Sequence, residues 1–591
     1  MKHDYRQPKP VVPEMDSSDS EDDDTLVIGI DFGTTYSGVA WASKADFEQQ
    51  HINLITSWPG SGREEGKTPS EVYYEDGKIT CGFEIDDDTD PIKWFKLLLL
   101  KEEDLPNELK SSEFILRARK MMRENDKTAI QVISDYLRMI WKHTLQTIKR
   151  DRGSAVEALQ FHVVITVPAI WKDYARQYMT EAAKKAGILS FRTAGETRLT
   201  FAPEPEAAAL SSLSEPGRRI KPNEVYLVCD AGGGTVDLIS YKIASVGPIS
   251  LKEAVEGTGG LCGGIFIDQD FEVIIKNRLG RQWDRLSRVG SKELLKGEWE
   301  LSIKPQFKPT SSDKKYLVSV PAEAFDKGKG LTDMTKEPHI KNGRIHFNES
   351  QIKKAFLKVF DQIDVLIDAQ VRKAKEKGHS LTAGIKILQS TGMRPRTAIC
   401  RGAVYKGFQD DVNSATHADG SLEIMRLPIS VISTISRASY GHCYNAPFIK
   451  GVHLEKDKHW NDLEKKWEAK NQIQWYLTRG ENVSTKEPVS HGFYQLYTEG
   501  QFDGNFEIAL LQCEKDPPPS RMEDNVKHHV SLKCKTDMTY SDLQEHPKSK
   551  GGNFKKLSYD VRMVPSGAAV EFSVFINGKN VGSSNVDIQY N

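Results

Sequence analysis

Apolar residues follow two different spacings over the first two thirds of the chain. Short apolar runs predict strands at residues 26–30, 163–167, 225–229 and 385–388. Apolar positions three and four residues apart predict long amphipathic helices, with apolar faces at residues 133–148 and 352–367 and a stop near Gly378. The alternation of strands and helices from residue 25 to residue 408 is typical of an α/β domain.

The pattern changes after residue 408, where short β-type segments are separated by turn residues. In "AVEFSVFINGK", the residues Val570, Phe572, Val574 and Ile576 share one face, and Asn577-Gly578 predicts a type I′ hairpin turn. The pattern therefore predicts a smaller, mainly-β domain at residues 409–591.

Three tryptophans stand out in the charged stretch "KHWNDLEKKWEAKNQIQWYL". There are two interpretations of Trp460, Trp467 and Trp475: they form an exposed platform that binds a ligand, or they are buried and anchor this region against the first domain. Because aromatic side chains usually pack in cores, we expect buried anchors.

Composition narrows the function classes. The 591 residues are enough for several subdomains. A net charge of −2 gives no global field that would attract nucleic acid or an anionic membrane. Seven scattered cysteines without a CxxC pair indicate a reducing compartment, and with no apolar run long enough to span a membrane we expect a cytoplasmic protein. The acidic "EMDSSDSEDDD" within residues 1–24 predicts a disordered tail.

Two loops carry candidate chemistry. In "IGIDFGTTYSGVAW", a strand ends at Asp31 and turns through Gly33 to the hydroxyls of Thr34 and Thr35. "VCDAGGGTVD" repeats the design about 200 residues later, and it carries two aspartates, three glycines and one threonine, namely Asp230, Gly232, Gly233, Gly234, Thr235 and Asp237. Glycines let backbone N–H groups approach an anion, and a carboxylate at a strand end can hold Mg²⁺ through water. The pair predicts two phosphate loops that face each other across a cleft.

Five motifs in this order resemble the 70-kDa heat-shock protein family, of the actin-like ATPase superfamily. They are "DFGTTYSGVA", "VVITVPAIWKDYARQ", "EPEAAAL", "CDAGGGTVDL" and "GGLCGGIFID". The segments "KTPSEVYY", "WFKLLL", "RASYG" and "DPPP" resemble a divergent, fungal-type branch related to heat-shock 70-kDa protein 12. The resemblance implies an actin-like (ribonuclease H-like) duplicated nucleotide-binding domain at residues 25–408 that uses ATP or ADP with Mg²⁺.

The resemblance also implies residue roles. Lys96 would orient the attacking water, Asp31 and Asp230 would hold Mg²⁺ through water, and Glu204 and Asp237 would complete the catalytic group. The expected nucleotide contacts are Gly33, Thr34, Thr35, Tyr36, Gly232, Gly233, Gly234, Thr235, Gly263, Gly264, Glu300 and Lys304. Pro168 and Arg176 match a relay between nucleotide state and the partner domain.

The match to the family breaks on the adenosine side. Glu300 and Lys304 are four residues apart where the family has three, and Pro305 interrupts the helix. The family's later Gly-Gly loop has no counterpart in "ILQSTGMRP". Either Ser390-Thr391-Gly392 is an improvised adenosine loop or a segment is missing near residues 388–396, and we favour the missing segment because the intervening helix does not fit.

The sequence leaves three hypotheses for the function. We expect a heat-shock-70-like ATP-binding protein, with slow ATP hydrolysis coupled to an unidentified protein client. The alternatives are a regulatory pseudo-chaperone with weak or lost nucleotide binding, and a small-molecule kinase of the same superfamily. The terminal "SSNVDIQYN" lacks the family's acidic signature, so we expect no co-chaperone docking through one.

Overall fold

The computed structural model describes most of the chain. The described residues are 25–105, 107–169, 171, 173–215, 220–309, 314–326, 330–379, 386–387, 396–418, 427–484, 489–547, 554–566 and 569–583. The predicted acidic tail at residues 1–24 and the loop Ser390-Thr391-Gly392 lie outside them.

The first region, residues 25–213, is built on a six-stranded sheet with the order β3-β2-β1-β8-β9, and β4 also pairs with β2. Its strands are β1 (Thr25–Asp31), β2 (Tyr36–Ser43), β3 (Asn53–Leu54), β4 (Thr68–Pro69), β5 (Glu71–Glu75), β6 (Lys78–Cys81), β7 (Ile92–Lys93), β8 (Gln160–Val167) and β9 (Arg198–Pro203). Its helices are α1 (Lys44–Glu48), α2 (Asn107–Lys110), α3 (Glu113–Glu124), α4 (Ala129–Arg152), α5 (Asp173–Ala186) and α6 (Glu204–Leu213). Strands β5, β6 and β7 form a small separate sheet.

The second region, residues 225–418, carries a sheet of related order. Its strands are β10 (Val225–Ala231), β11 (Val236–Val246), β12 (Ile249–Gly260), β13 (Tyr316–Ser319), β14 (His339–Lys341), β15 (Arg344–Phe347) and β16 (Lys386–Ile387). Its helices are α7 (Gly264–Leu279), α8 (Arg288–Lys296), α9 (Lys304–Gln306), α10 (Glu349–Glu376) and α11 (Ala398–Ala418). In both large sheets, an antiparallel hairpin (β1-β2 or β10-β11) has a parallel strand beside its first member.

The third region, residues 429–583, is entirely β in the part that the structure describes, apart from short 3₁₀ turns. Its strands are β17 (Ile429–Ile435), β18 (Ser439–Pro447), β19 (Lys458–Asn461), β20 (Lys466–Leu477), β21 (Asn482–Ser484), β22 (Val489–Tyr497), β23 (Asn505–Cys513), β24 (Val526–Lys535), β25 (Gln544–Glu545), β26 (Lys555–Ser566), β27 (Ala569–Ile576) and β28 (Lys579–Ser583). Two five-stranded sheets share one buried apolar cluster and form a sandwich.

The predicted elements agree with these bounds. The strands expected at residues 26–30, 163–167 and 225–229 are β1, β8 and β10, and the predicted helical faces lie on α4 and α10. Of the strand expected at residues 385–388, the structure describes Lys386–Ile387. The backbone φ of Asn577 and of Gly578 is positive, as the predicted type I′ turn requires.

Helix α11 of the second region packs at close range against α6 and β1 of the first region. A Cβ on Gly402 would overlap the Ala207 backbone of α6, and one on Gly29 of β1 would overlap the Cys400 carbonyl oxygen. Only glycine allows these close contacts, so Gly29 and Gly402 determine the position of α11 against β1 and α6.

Helix α11 also crosses residue 408 and reaches the third region. Gln409 donates from Nε2 to the Val431 carbonyl at 2.7 Å, and its Oε1 accepts from the Val431 N–H at 3.1 Å. Strand β17 pairs in parallel with β12, and β21 then pairs with β17, so the second large sheet ends in strands from the third region.

The expectation that Trp460 and Trp467 are buried anchors is wrong. They are cross-strand partners on the β19-β20 hairpin, 38% and 51% exposed, and their rings contact each other with centroids 5.2 Å apart. The hairpin lies at the edge of its sheet, where the two rings pack against each other rather than against another domain.

None of the helices in the described ranges has an apolar stretch long enough to cross a membrane.

Candidate functional site

The two Gly-Thr loops occupy equivalent turns and contact each other. Each follows the first strand of a hairpin, β1 in one lobe and β10 in the other. A Cβ added to Gly233 would overlap the Thr35 side chain, and one added to Gly234 would come 2.8 Å from Thr34 Oγ1. The predicted approach of the two loops is therefore present, with the threonines of one against the glycines of the other.

The triple-glycine loop is fixed from behind by the start of α7. The N–H groups of Gly263, Gly264 and Ile265 donate to the carbonyls of Gly234, Gly232 and Gly233 at 3.2, 3.0 and 2.9 Å. Because C=O and the next N–H point in opposite directions across a trans peptide, the N–H groups that follow these carbonyls face away from α7. Such a row of N–H groups is suited to bind an anion.

The first loop is braced from the other side. Ser70 donates from Oγ to the Gly33 carbonyl at 2.8 Å, and its N–H donates to the Thr35 carbonyl at 2.8 Å. A Cβ on Gly33 would overlap the Tyr36 carbonyl oxygen, so the turn requires glycine. Both loops are thus held by backbone contacts before any ligand arrives.

Four buried carboxylates lie beneath the loops: Asp31, Glu204, Asp230 and Asp237. Burial, and then repulsion from Glu204, raises the pKa of Asp237 to about 7 and that of Asp230 well above its usual range. Burial also raises the pKa of Glu204, although the nearby Lys96 opposes the shift. Asp230 and Asp237 are direct cross-strand partners, an arrangement of like charges that is unfavourable without a counter-charge.

Two lysines partly balance this charge: Lys96 is buried and Lys67 is half-buried. Lys96 donates to Glu204 Oε1 at 2.6 Å and to the Phe32 carbonyl, and its ammonium lies 5.4 Å from the Trp171 ring centroid. Lys67 contacts Asp31 Oδ2 at 2.5 Å. Burial alone would lower the pKa of Lys67, but attraction to Asp31 outweighs it and raises the pKa.

The charges at this site fit a divalent cation. When all four carboxyl groups are ionised they outnumber the two ammonium groups, an excess that a divalent cation would balance, and Asp237 Oδ2 has no hydrogen-bond partner among the described residues. Within those residues no three His, Cys, Asp or Glu side chains converge closely enough to ligate a metal directly. Binding through water, which Mg²⁺ favours, is the mode that suits this spacing.

The residues expected to relay nucleotide state lie next to the second loop. Pro168 directly follows β8, and the N–H of the adjoining Ala169 donates to Asp237 Oδ1 at 3.1 Å. The Pro168 carbonyl accepts from the Trp171 N–H at 3.1 Å, and Arg176 of α5 approaches the Trp171 carbonyl at 3.5 Å. Trp171 therefore connects both predicted relay residues to the surroundings of Lys96.

Glu300 and Lys304 lie beside the loops, but they contact each other. Lys304 pairs with Asp268 at 2.8 Å and with Glu300 at 3.3 Å, and it is the side chain nearest to Gly264. Residues Trp299–Ile303 form a π-helical turn, which accommodates the four-residue spacing. Burial and then Glu300 raise the pKa of Tyr36, which places Tyr36 at this side of the site.

The sequence reasoning missed Lys67, Ser70 and Trp171 as site residues. Lys67 and Ser70 lie in the quoted segment "KTPSEVYY", and Trp171 lies in "VPAIW". Lys67, Ser70 and the Trp171 ring contact residues more than 30 positions away along the chain. Local sequence patterns therefore did not reveal these contacts.

Two lobes of related strand order, with glycine-threonine loops in contact between them, define a nucleotide-binding domain of the actin-like ATPase class. A family model described as "Hsp70 protein" matches residues 27–251. Residues 27–251 thus match the 70-kDa heat-shock protein family that the motifs predicted.

Named relatives agree with this assignment. The chain is 27% identical to human "Heat shock 70 kDa protein 12B" over 320 residues, which cover 44% of this chain and 46% of the relative. It is 26% identical to human "Heat shock 70 kDa protein 12A" over 339 residues, 47% and 49% of the two chains. It is 31% identical to "Chaperone protein DnaK" of Thermosipho africanus over 270 residues, 45% and 38%. The chain thus matches less than half the length of each.

Proposed function

We propose that this protein is a heat-shock-70-like ATP-binding protein that hydrolyses ATP slowly and couples nucleotide state to a protein client. In this proposal residues 25–408 are a duplicated nucleotide-binding domain and residues 409–591 are a mainly-β client-binding domain. The observation that carries it is the contact of Gly233 and Gly234 with Thr35 and Thr34, above four buried carboxylates and the ammonium groups of two lysines. That arrangement combines anion donors with an excess of negative charge, as a magnesium nucleotide needs.

The phosphates would be bound by the two loops. The N–H groups of Gly233, Gly234 and Thr235 and the hydroxyls of Thr34 and Thr35 are the available donors. Asp31 and Asp230, helped by Glu204, would hold Mg²⁺ through water, and the cation would neutralise phosphate charge. Because both loops are braced by hydrogen bonds behind them, little reorganisation is required when phosphate binds.

Hydrolysis would depend on two residues of this chain. Lys96 would orient water toward the γ-phosphate, since its ammonium is already fixed by Glu204 and Phe32. Asp237, with a pKa of about 7 caused by burial and by Glu204, could accept the proton of that water near neutral pH. The Ala169 hydrogen bond to Asp237 would carry the change to Pro168 and Arg176.

An exposed apolar surface in the third region supports a protein client. Ile449 and Val452, after β18, are 55% and 70% exposed, and they adjoin the hairpin that carries Trp467. Lys458 links the two parts, because its ammonium lies 4.9 Å from the Phe448 ring and 5.0 Å from the Trp467 ring. Exposed apolar patches of this kind mark interaction sites. Scattered free cysteines support the cytoplasm as the compartment.

A regulatory pseudo-chaperone is the second candidate. The observation that favours it is the pairing of Lys304 with Asp268 and Glu300, which occupies the groups expected to bind adenosine. Such a protein would bind nucleotide weakly or not at all and would not turn it over.

Calorimetric titration with Mg-ATP and Mg-ADP, followed by a phosphate-release assay, tests the proposal. We expect saturable binding to the intact chain and slow release of phosphate. Lys96→Gln keeps a donor toward Phe32 and Glu204, and it should lower turnover about 100-fold with nucleotide still bound. Lys78→Gln, on an exposed lysine, is the matched control. Weak or absent binding to the folded chain would refute the proposal and support the pseudo-chaperone, and firm binding without turnover would refute the hydrolysis step alone.

A further inference from the structure

A cleft of about 270 Å³ opens where the second large sheet meets the third region. Three lysines line it from different elements: Lys242 of β11, Lys252 of β12 and Lys377 at the end of α10. Residues of the third region on the adjoining strands of that sheet, among them Ile435 of β17 and Asn482 of β21, complete the lining. The cleft therefore lies at a junction and is lined mainly by positive charge.

The lysines lack a counter-charge. Lys242 and Lys252 are direct cross-strand partners, and like charges in that position destabilise a sheet. No carboxylate pairs with any of the three among the residues that the structure describes. His379, which also lines the cleft, has a pKa lowered by burial and then by Lys242 and Lys377, so these two lysines approach it from separate elements.

The carboxylate of Glu253, which lines the cleft beside the lysines, is already engaged. Its Oε2 accepts from the Ile435 N–H at 2.7 Å and its Oε1 pairs with Arg437 at 2.5 Å. The Gly257 N–H also donates to Oε1, at 3.2 Å. Asn482 is engaged as well, since its Nδ2 donates to the Glu253 carbonyl at 3.2 Å. The positive charge of the cleft thus stays open to a ligand from solvent.

We propose that this cleft binds a small phosphate-bearing anion through Lys242, Lys252 and Lys377. A multiply charged anion with oxygens on several sides suits three ammonium groups that arrive from separate elements. At roughly 30 Å³ per water, the cleft has room for more than one phosphate group.

The site is separate from the phosphate loops. Lys252 and Gly260 are both on β12, eight residues apart, so about 26 Å of extended strand separates the cleft from the loop that α7 braces. An anion here would connect β11, β12 and α10 next to Ile435 and Asn482 of the third region. Binding would therefore stabilise the contact between the second lobe and the third region, whether or not the protein hydrolyses ATP.

Calorimetric titration with inorganic pyrophosphate tests the site, with a triple variant Lys242→Gln, Lys252→Gln and Lys377→Gln. The control triple changes the same charge at exposed lysines away from the cleft: Lys353→Gln, Lys375→Gln and Lys470→Gln. A Thr35→Val variant weakens the phosphate loop and isolates binding elsewhere. We expect pyrophosphate to bind the wild type and the Thr35→Val and control variants, and to bind the cleft variant about tenfold more weakly.

The proposal would be overturned if the cleft variant bound pyrophosphate as tightly as the control triple does. It would also be overturned if the Thr35→Val variant lost all binding, because pyrophosphate would then bind only at the phosphate loops. Far-UV circular dichroism checks that each variant folds. If the cleft triple does not fold, Lys377→Gln alone, at an exposed position, should weaken binding about threefold relative to Lys375→Gln. Equal affinities for these two single variants would also overturn the proposal.

Discussion

The phosphate side and the adenosine side of the site are built differently. On the phosphate side, charged groups are buried and the loops are held by backbone hydrogen bonds from Ser70 and from the start of α7. On the adenosine side, Glu300 and Lys304 are partly exposed and pair with each other and with Asp268. The first side is organised before a ligand binds, whereas the second must give up its own ion pairs. Affinity should therefore come mainly from phosphate.

Removing one lysine from each side gives the largest expected contrast. Lys67→Met leaves the buried Asp31 without its partner and should lower the free energy of unfolding by about 3 kcal/mol. Lys304→Met breaks pairs whose carboxylate side chains are 40% and 32% exposed, so it should cost about 1 kcal/mol or less. Urea unfolding of both variants measures the difference. Equal losses would mean that the two sides are not organised differently.

Adjacent glycines at the start of α7 sharpen the comparison. A Cβ on Gly263 would lie 2.5 Å from the Gly233 carbonyl group, whereas one on Gly264 meets nothing closer than 3.8 Å. Gly263→Ala should therefore cost about 1 to 3 kcal/mol of stability and displace the triple-glycine loop. Gly264→Ala, which points toward Lys304, should be nearly neutral.

Thermal unfolding measures the stability of both glycine variants, and titration with ATP measures nucleotide affinity. Loss of affinity in Gly263→Ala with retention in Gly264→Ala is the expected result. Tolerance of both substitutions would show that the loop is not held rigidly.

A separate effect is expected from pH. The folded pKa of Asp237 is about 7 and its ordinary value is 3.8, so the folded state keeps a proton that the unfolded state releases in this range. Without metal and nucleotide, Asp237 should make the protein less stable by up to about 4 kcal/mol as the pH rises from about 4 to about 7, at about 1.4 kcal/mol for each pKa unit. Asp237→Asn should make the decline smaller, although Asp230 and Glu204, whose pKa values are also raised, keep part of it, while Asp284→Asn, at an exposed position, should leave it unchanged. The urea midpoint of each variant, measured from about pH 4 to about pH 7, gives the loss of stability. An unchanged loss in Asp237→Asn would contradict the raised pKa of Asp237.

Local patterns predicted the parts of the molecule that depend on neighbours in sequence. The strands before Asp31 and Asp230 were visible as apolar runs, and their loops as glycine and threonine at the strand ends. Lys67 was not predicted, because its role depends on a partner 36 residues away, across the fold. Trp460 and Trp467 were misjudged because an apolar ring does not reveal whether its strand lies at a sheet edge.

Strand β17 changes how the molecule can be divided. It covers the edge of β12, and the side chain of Gln409 on α11 binds its backbone at Val431. A protein shortened to residues 25–408 would lose half of α11 and leave that edge with unpaired N–H and C=O groups. Open edges of this kind recruit strands from other chains, so the shortened protein would be prone to aggregate. The ATPase-like region and the β region are thus interdependent parts, and an exchange of domains with another protein would have to carry β17 along with the first two lobes.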